Sequence, residues 1–151
     1  MCVVSENFKK VPTILKGEPQ VYPHVTKDTP IYANYVIAGD FVFISGQTAI
    51  NADTANCTAS TMQEQMWIVM EKIDRILQEA GTSLDYLIKD FILLKDMKDY
   101  PVMRSTQQEY FRQRAPRLLE SPPGSTVAQV AALGRPHYLV EVEAVGYIPK
   151  K

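Results

Sequence analysis

Two glutamates, Glu141 and Glu143, are set two residues apart near the end of the chain. They sit in residues 138–147, where apolar and polar residues alternate as in a strand. Residues two apart on a strand project to the same face. Both carboxylates therefore lie opposite Val140, Val142 and Ala144. Where another protein surface covers such a face, a carboxylate loses water. Its pKa then rises toward the range in which a general base works.

The other reactive side chains form weaker patterns. The two histidines, His24 and His137, are far apart, and neither stands in register with a nucleophile. His137 reads as a turn residue. Ser45 and Ser125 lack the Gly-x-Ser-x-Gly setting of a nucleophile elbow. Cys2 and Cys57 make no Cys-x-x-Cys pair and no Cys/His cluster, so two free thiols and no metal site are expected. Neither a P-loop nor a Gly-x-Gly-x-x-Gly fingerprint is present. Action without a cofactor is the expectation. With a net charge of −1, no electrostatic argument favours nucleic acid or an anionic membrane. No apolar run reaches the length of a membrane span, and no basic-then-apolar leader opens the chain. A cytoplasmic protein is expected.

A sheet backed by helices must position the two glutamates. Residues 1–30 carry Pro12, Pro19, Pro23 and Pro30 and read as an N-terminal arm with a short strand at 11–15. Residues 31–151 read as a single domain. Strands are predicted at 31–37, 41–45, 87–94, 126–133 and 138–147. Met62, Met66, Val69, Ile73, Leu77 and Ala80 repeat at helical spacing, which predicts a helix over 61–80. That spacing makes the methionines and Trp67 core residues. Ser60 or Thr61 can cap the helix, with Glu64 placed for a capping box, and Gly81 is a stop. A second helix should run from Asp99, with Pro101 in its first turn, to Arg114. Residues 116–124 read as a loop and Gly134–His137 as a hairpin connection. Two helices cover one face of such a sheet. The strands at 41–45 and 87–94 are apolar on both faces, so the second face needs cover too, and self-association is the simplest source.

Three ordered segments resemble one family. Ala38-Gly39-Asp40-Phe41-Val42-Phe43-Ile44-Ser45-Gly46-Gln47 is similar to the early signature of the Rid (YjgF) proteins, AGD followed by SGQ. Asp96-Met97-Lys98-Asp99-Tyr100 resembles the element before their second helix, and Glu141-Val142-Glu143-Ala144-Val145 their closing strand. The match covers roughly residues 30–148. The resemblance implies an α+β, chorismate-mutase-like sandwich, with one mixed sheet of about six strands and two helices on one face. It also implies a homotrimeric barrel with ligand sites in the clefts between subunits. The implied activity is cofactor-free deamination or hydrolysis of small imines and enamines. In the family an arginine grips the substrate carboxylate and a glutamate positions the attacking water.

By that resemblance Glu141 is the catalytic residue and Tyr32 helps to enclose the substrate. The course Gly134-Arg135-Pro136-His137-Tyr138 is similar to the longer hairpin of 2-aminomuconate deaminases. The arginine is missing. The family reads P-A-R-S/T where this chain has Pro122-Pro123-Gly124-Ser125-Thr126. A gapless match puts Ser125 at the arginine position, and anchoring on Ser-Thr-Val puts Gly124 there. Neither replaces a charged two-point fork. Gly124, Ser125 and Thr126 thus form an altered binding segment. Another cation could move in, and the candidates are Arg112, Arg114, Arg117 and Arg135, with Arg117 preferred. A substrate that departs from the family's usual one is expected. The alternatives are an isomerase, lyase or cyclase acting on a larger metabolite, and a non-catalytic ligand-binding protein.

Overall fold

The computed structural model describes residues 7–24 and 31–151. Cys2 and Pro30 lie outside the described residues. Six strands form one mixed sheet: β1 (Phe8–Pro12), β4 (Ala33–Ala38), β5 (Phe41–Gln47), β6 (Leu87–Leu94), β7 (Gly124–Gln129) and β8 (Val140–Tyr147). Two short strands, β2 (Ile14–Leu15) and β3 (Glu18–Pro19), pair with each other in the arm. The sheet order is β1-β4-β5-β8-β6-β7. Every neighbouring pair is antiparallel except β6 and β7, which are parallel.

The helices α1 (Met62–Glu79) and α2 (Tyr100–Arg114) pack on one face. Thr61 caps α1 by accepting the Glu64 N–H, while Glu64 accepts the Thr61 N–H at 3.1 Å. Beyond Ala80, Gly81 takes a φ of +85°, which few side chains tolerate, and the helix stops. The apolar stripe of α1 closes over Val42, Ile44, Ile92, Val140 and Val142, all buried. Gly146 lets α1 come close, because a Cβ there would overlap the Leu77 side chain. Among the described residues the opposite sheet face carries no helix. Phe41 and Phe43 stay 40% and 47% exposed on it, whereas their strand neighbours Val42 and Ile44 are buried.

Four expectations need correction. The arm strand expected at 11–15 is split: β1 begins earlier, at Phe8, and joins the main sheet beside β4, while β2 takes Ile14–Leu15. The strand expected at 126–133 is shifted to Gly124–Gln129. The segment read as a loop holds a helical turn, α3 (Arg117–Glu120), because Leu118 can be buried against α2 there. No true hairpin joins β7 to β8. They flank β6 on opposite sides, so the chain between them crosses the end of β6. Turn residues mark where a chain reverses, not which edge it takes. The crossing is fixed by buried Gln65 of α1, which donates to the His137 carbonyl at 2.9 Å and accepts the Leu139 N–H at 2.8 Å.

Candidate functional site

Glu141 stands on the helix-free face of β8, opposite Leu93 of β6. Its other neighbour, β5, is irregular between Ile44 and Gln47, where the register with β8 shifts. The shift brings Gly46 under the Glu141 side chain. A Cβ on Gly46 would overlap Oε1 of Glu141 and sit 2.9 Å from its Cδ. The missing side chain is what gives the carboxylate its seat. The bulged segment is held from β4: Ser45 Oγ donates to the Ala33 carbonyl at 2.6 Å, and Gln47 Nε2 donates to Asn34 Oδ1 at 3.0 Å. The loop that follows is tied down by Lys72 of α1. Its Nζ donates to the Thr48 carbonyl at 2.7 Å and the Ile50 carbonyl at 2.5 Å. Burial, and then the nearby Arg75 charge, push the Lys72 ammonium down to about 8.

Glu141 is half-buried. Burial raises its pKa above the ordinary glutamate value, and the negative charge of Glu143 raises it further. Glu143 is exposed on the same face, opposite Phe91. Tyr32 is 52% exposed. It directly precedes Ala33, whose carbonyl anchors Ser45, so it lies at the same end of the sheet.

The altered segment forms edge strand β7, and the parallel register sorts its residues by face. Gly124 is level with Lys89, Ser125 with Asp90 and Thr126 with Phe91. Phe91 is in turn level with Glu143. Gly124 and Thr126 therefore share the face of Glu141, and Ser125 does not. Ser125 turns toward the helices, where Arg104 Nη2 lies 3.4 Å from its Oγ. Arg104 also donates to Gln107 at 2.5 Å and lies over the Tyr100 ring, 5.3 Å from its centroid. Of the two positions for the missing arginine, only Gly124 faces the glutamates.

Three of the four candidate substitute arginines are held by other partners. Arg112 pairs with Glu109. Arg114 Nε is 3.3 Å from Asp74. Arg135 donates to the Ala55 carbonyl at 2.8 Å, tying the crossing to the loop after β5. Arg117 is exposed on α3. His24 lies 3.2 Å from Glu18 in the arm, and His137 is an exposed residue of the crossing. Sequence reading missed the cation that does lie beside Gly124. Lys89 sends its Nζ to 3.4 Å from Thr126 Oγ1, on the glutamate face. One signal was available: a lysine, beside Asp90, inside a strand whose other residues are apolar. A cleft of about 430 Å³ lies at the far end of the sheet among Phe41, Tyr86, Ile88, Pro122 and Tyr147. It does not include Glu141.

A six-stranded mixed sheet with helices on one face and a glutamate seated on the other defines a chorismate-mutase-like α+β protein. Within that class, the family profile described as Endoribonuclease L-PSP matches residues 26–148. A RutC family protein of Pyrococcus abyssi is 34% identical over 116 residues, 77% of this chain and 85% of that protein. One from Pyrococcus horikoshii is 35% identical over the same share of this chain and 86% of its own. Among solved structures, Escherichia coli TdcF with bound serine is similar at a TM-score of 0.72 and 26% identity, over 93% of this chain and all (100%) of that one. A YjgF family member from Neisseria meningitidis reaches 0.68 at 28% identity, over 82% and 92%. The chain belongs to this family, whose members carry the names YjgF, Rid and RutC. Among the described residues no helix is long and apolar enough to cross a membrane.

Proposed function

We propose that this protein is a cofactor-free deaminase or hydrolase of a small carboxylate-bearing imine or enamine, acting in clefts between the subunits of a homotrimer in the cytoplasm. The observation that carries the reading is Glu141: a half-buried carboxylate with a raised pKa, seated over Gly46 on a sheet face that exposes Phe41 and Phe43. That apolar face supports the assembly. The serine held by TdcF supports an amino-acid-like ligand.

In this mechanism Glu141 takes a proton from water as the water attacks the imine carbon. The C=N double bond becomes a C–N single bond, and a carbinolamine forms. Glu141 returns that proton to the nitrogen, then takes the proton of the new hydroxyl and passes it to the amine as the C=O bond forms; the C–N bond breaks, and the products are a carbonyl compound and ammonia. Tyr32 closes the same end of the cleft. The absence of a side chain at Gly124 favours a substrate other than the smallest 2-imino acids.

The test is ammonia release from a panel of imines generated in situ. The panel runs from 2-iminopropanoate and 2-iminobutanoate to longer-chain imino acids. Weak release from the two smallest and faster release from a longer one is the expected result. Release from none, or rapid turnover of the smallest two alone, would overturn it. Sedimentation should give a trimer, and Phe43→Glu should dissociate it.

A further inference from the structure

One ammonium on the glutamate face has no carboxylate partner. Lys89 points along β7, with Nζ 3.4 Å from Thr126 Oγ1. Its stem crosses the space above Gly124, because a Cβ there would touch Lys89 Cδ at 3.7 Å. The stem therefore lies within van der Waals reach of this position. Among the described residues no ion pair of Lys89 falls within 4.0 Å, although Glu141 and Glu143 share its face. The face thus has a cationic edge at β6–β7 and an anionic end at β8. No ion pair within 4.0 Å joins the two among the described residues.

The register gives that separation a scale. Thr126 lies two strands across and two residues along from Glu141. With strands ~4.8 Å apart and ~3.3 Å per residue, their backbones are about 12 Å apart. Glu141 also leans away, over Gly46 of β5. A ligand that meets both groups must be elongated. It carries an anion at one end, for the ammonium and the Thr126 hydroxyl. At the other end it carries a group that a carboxylate can attract or deprotonate.

We infer that Lys89, with Thr126, anchors the anionic end of an elongated carboxylate ligand whose reacting end lies at Glu141. Lys89 is here a specificity residue, and the inference rests on the functional reading of Glu141. A lysine offers a mobile point charge, not a flat fork, so it suits a carboxylate at the end of a flexible chain.

Adipate serves as the probe, with adipamide as its neutral counterpart and succinate as the short one. Binding is followed through backbone amide shifts in the full-length assembled protein. Adipate should shift the Gly124, Thr126 and Glu141 amides, succinate should bind more weakly, and adipamide should leave these signals unmoved. Lys89→Met should weaken adipate at least ~10-fold, the size of one charge-assisted hydrogen bond. Lys89→Arg should retain most of the affinity. Unchanged adipate affinity in Lys89→Met overturns the inference, as does equal binding of adipamide. The proposed chemistry fails separately: if Glu141→Gln leaves turnover intact while Lys89 still governs adipate, the reading of Glu141 falls and the anchor stands.

Discussion

The two ends of the open sheet face are built on opposite plans. At the β5–β8 junction the surroundings hold one carboxylate still. Gly46 clears its seat, Ser45 and Gln47 pin the bulge to β4, and Lys72 ties down the loop beyond. At the β6–β7 edge the side chain is absent at Gly124, and a flexible lysine lies across the gap. Proton transfer needs fixed geometry, because a misplacement of about 1 Å costs about 10²-fold in rate. Holding the far end of a substrate tolerates a looser contact. Under the proposed function the chain therefore keeps a rigid end for chemistry, while its edge can fit a different partner molecule.

The largest expected effect is at the rigid end. Glu141→Gln keeps the shape and removes the base, so turnover on the best imine of the panel should fall at least ~100-fold. Gly46→Ala attacks the same end indirectly. The added methyl would take the place of Oε1, and a side-chain tip yields more easily than backbone. The carboxylate should be displaced with little loss of stability. A drop in kcat of roughly 10- to 100-fold, with melting temperature nearly unchanged, would bear this out. A wild-type rate in Gly46→Ala would show that the seat does not matter.

The comparison can also be inverted at the flexible edge. Gly124 has an ordinary φ, and a Cβ there meets nothing closer than 3.6 Å. Gly124→Arg should therefore fold. It would restore a guanidinium fork facing Glu141 and displace the Lys89 stem. Ammonia release from 2-iminobutanoate should rise about 10-fold, as one charged hydrogen-bonded contact allows. Ser125→Arg, pointing to the helices beside Arg104, should give no such gain.

These contrasts show which parts of the site were legible in the sequence. The helix α1, its Thr61–Glu64 cap and strand β6 followed from spacing, because local periodicity and capping act over a few residues. Glu141 followed from alternation and motif. Choosing between Gly124 and Ser125 did not, because the two matches differ by one residue and such a slip reverses every face. Only the pairing of β7 with β6 settles which of them faces the glutamate. The seat on Gly46 was illegible for a related reason. It depends on a register shift between β5 and β8, strands about 95 residues apart in the chain, and no local pattern encodes it. Lys89 carries no local pattern of its own, and only the pairing of β7 with β6 puts Gly124 beside it.

The smallest effect separates the two causes of the raised Glu141 pKa. Burial is the larger and Glu143 the lesser. A general base must be ionised, so activity should fall as pH drops through its pKa. That acid limb should lie above the ordinary glutamate value. Glu143→Gln removes only the like charge. It should move the limb to lower pH by less than about one unit, because screening at an exposed position weakens the repulsion. Lys89→Met removes a positive charge from the same face and should move the limb slightly upward. The sign for stability runs the other way from that of a paired carboxylate. The folded pKa is raised, so the contribution of Glu141 is fullest while it is protonated and declines as pH rises through the folded value. If Glu143→Gln left the limb in place, burial alone would account for the shift, and the second glutamate would have no part in tuning the first.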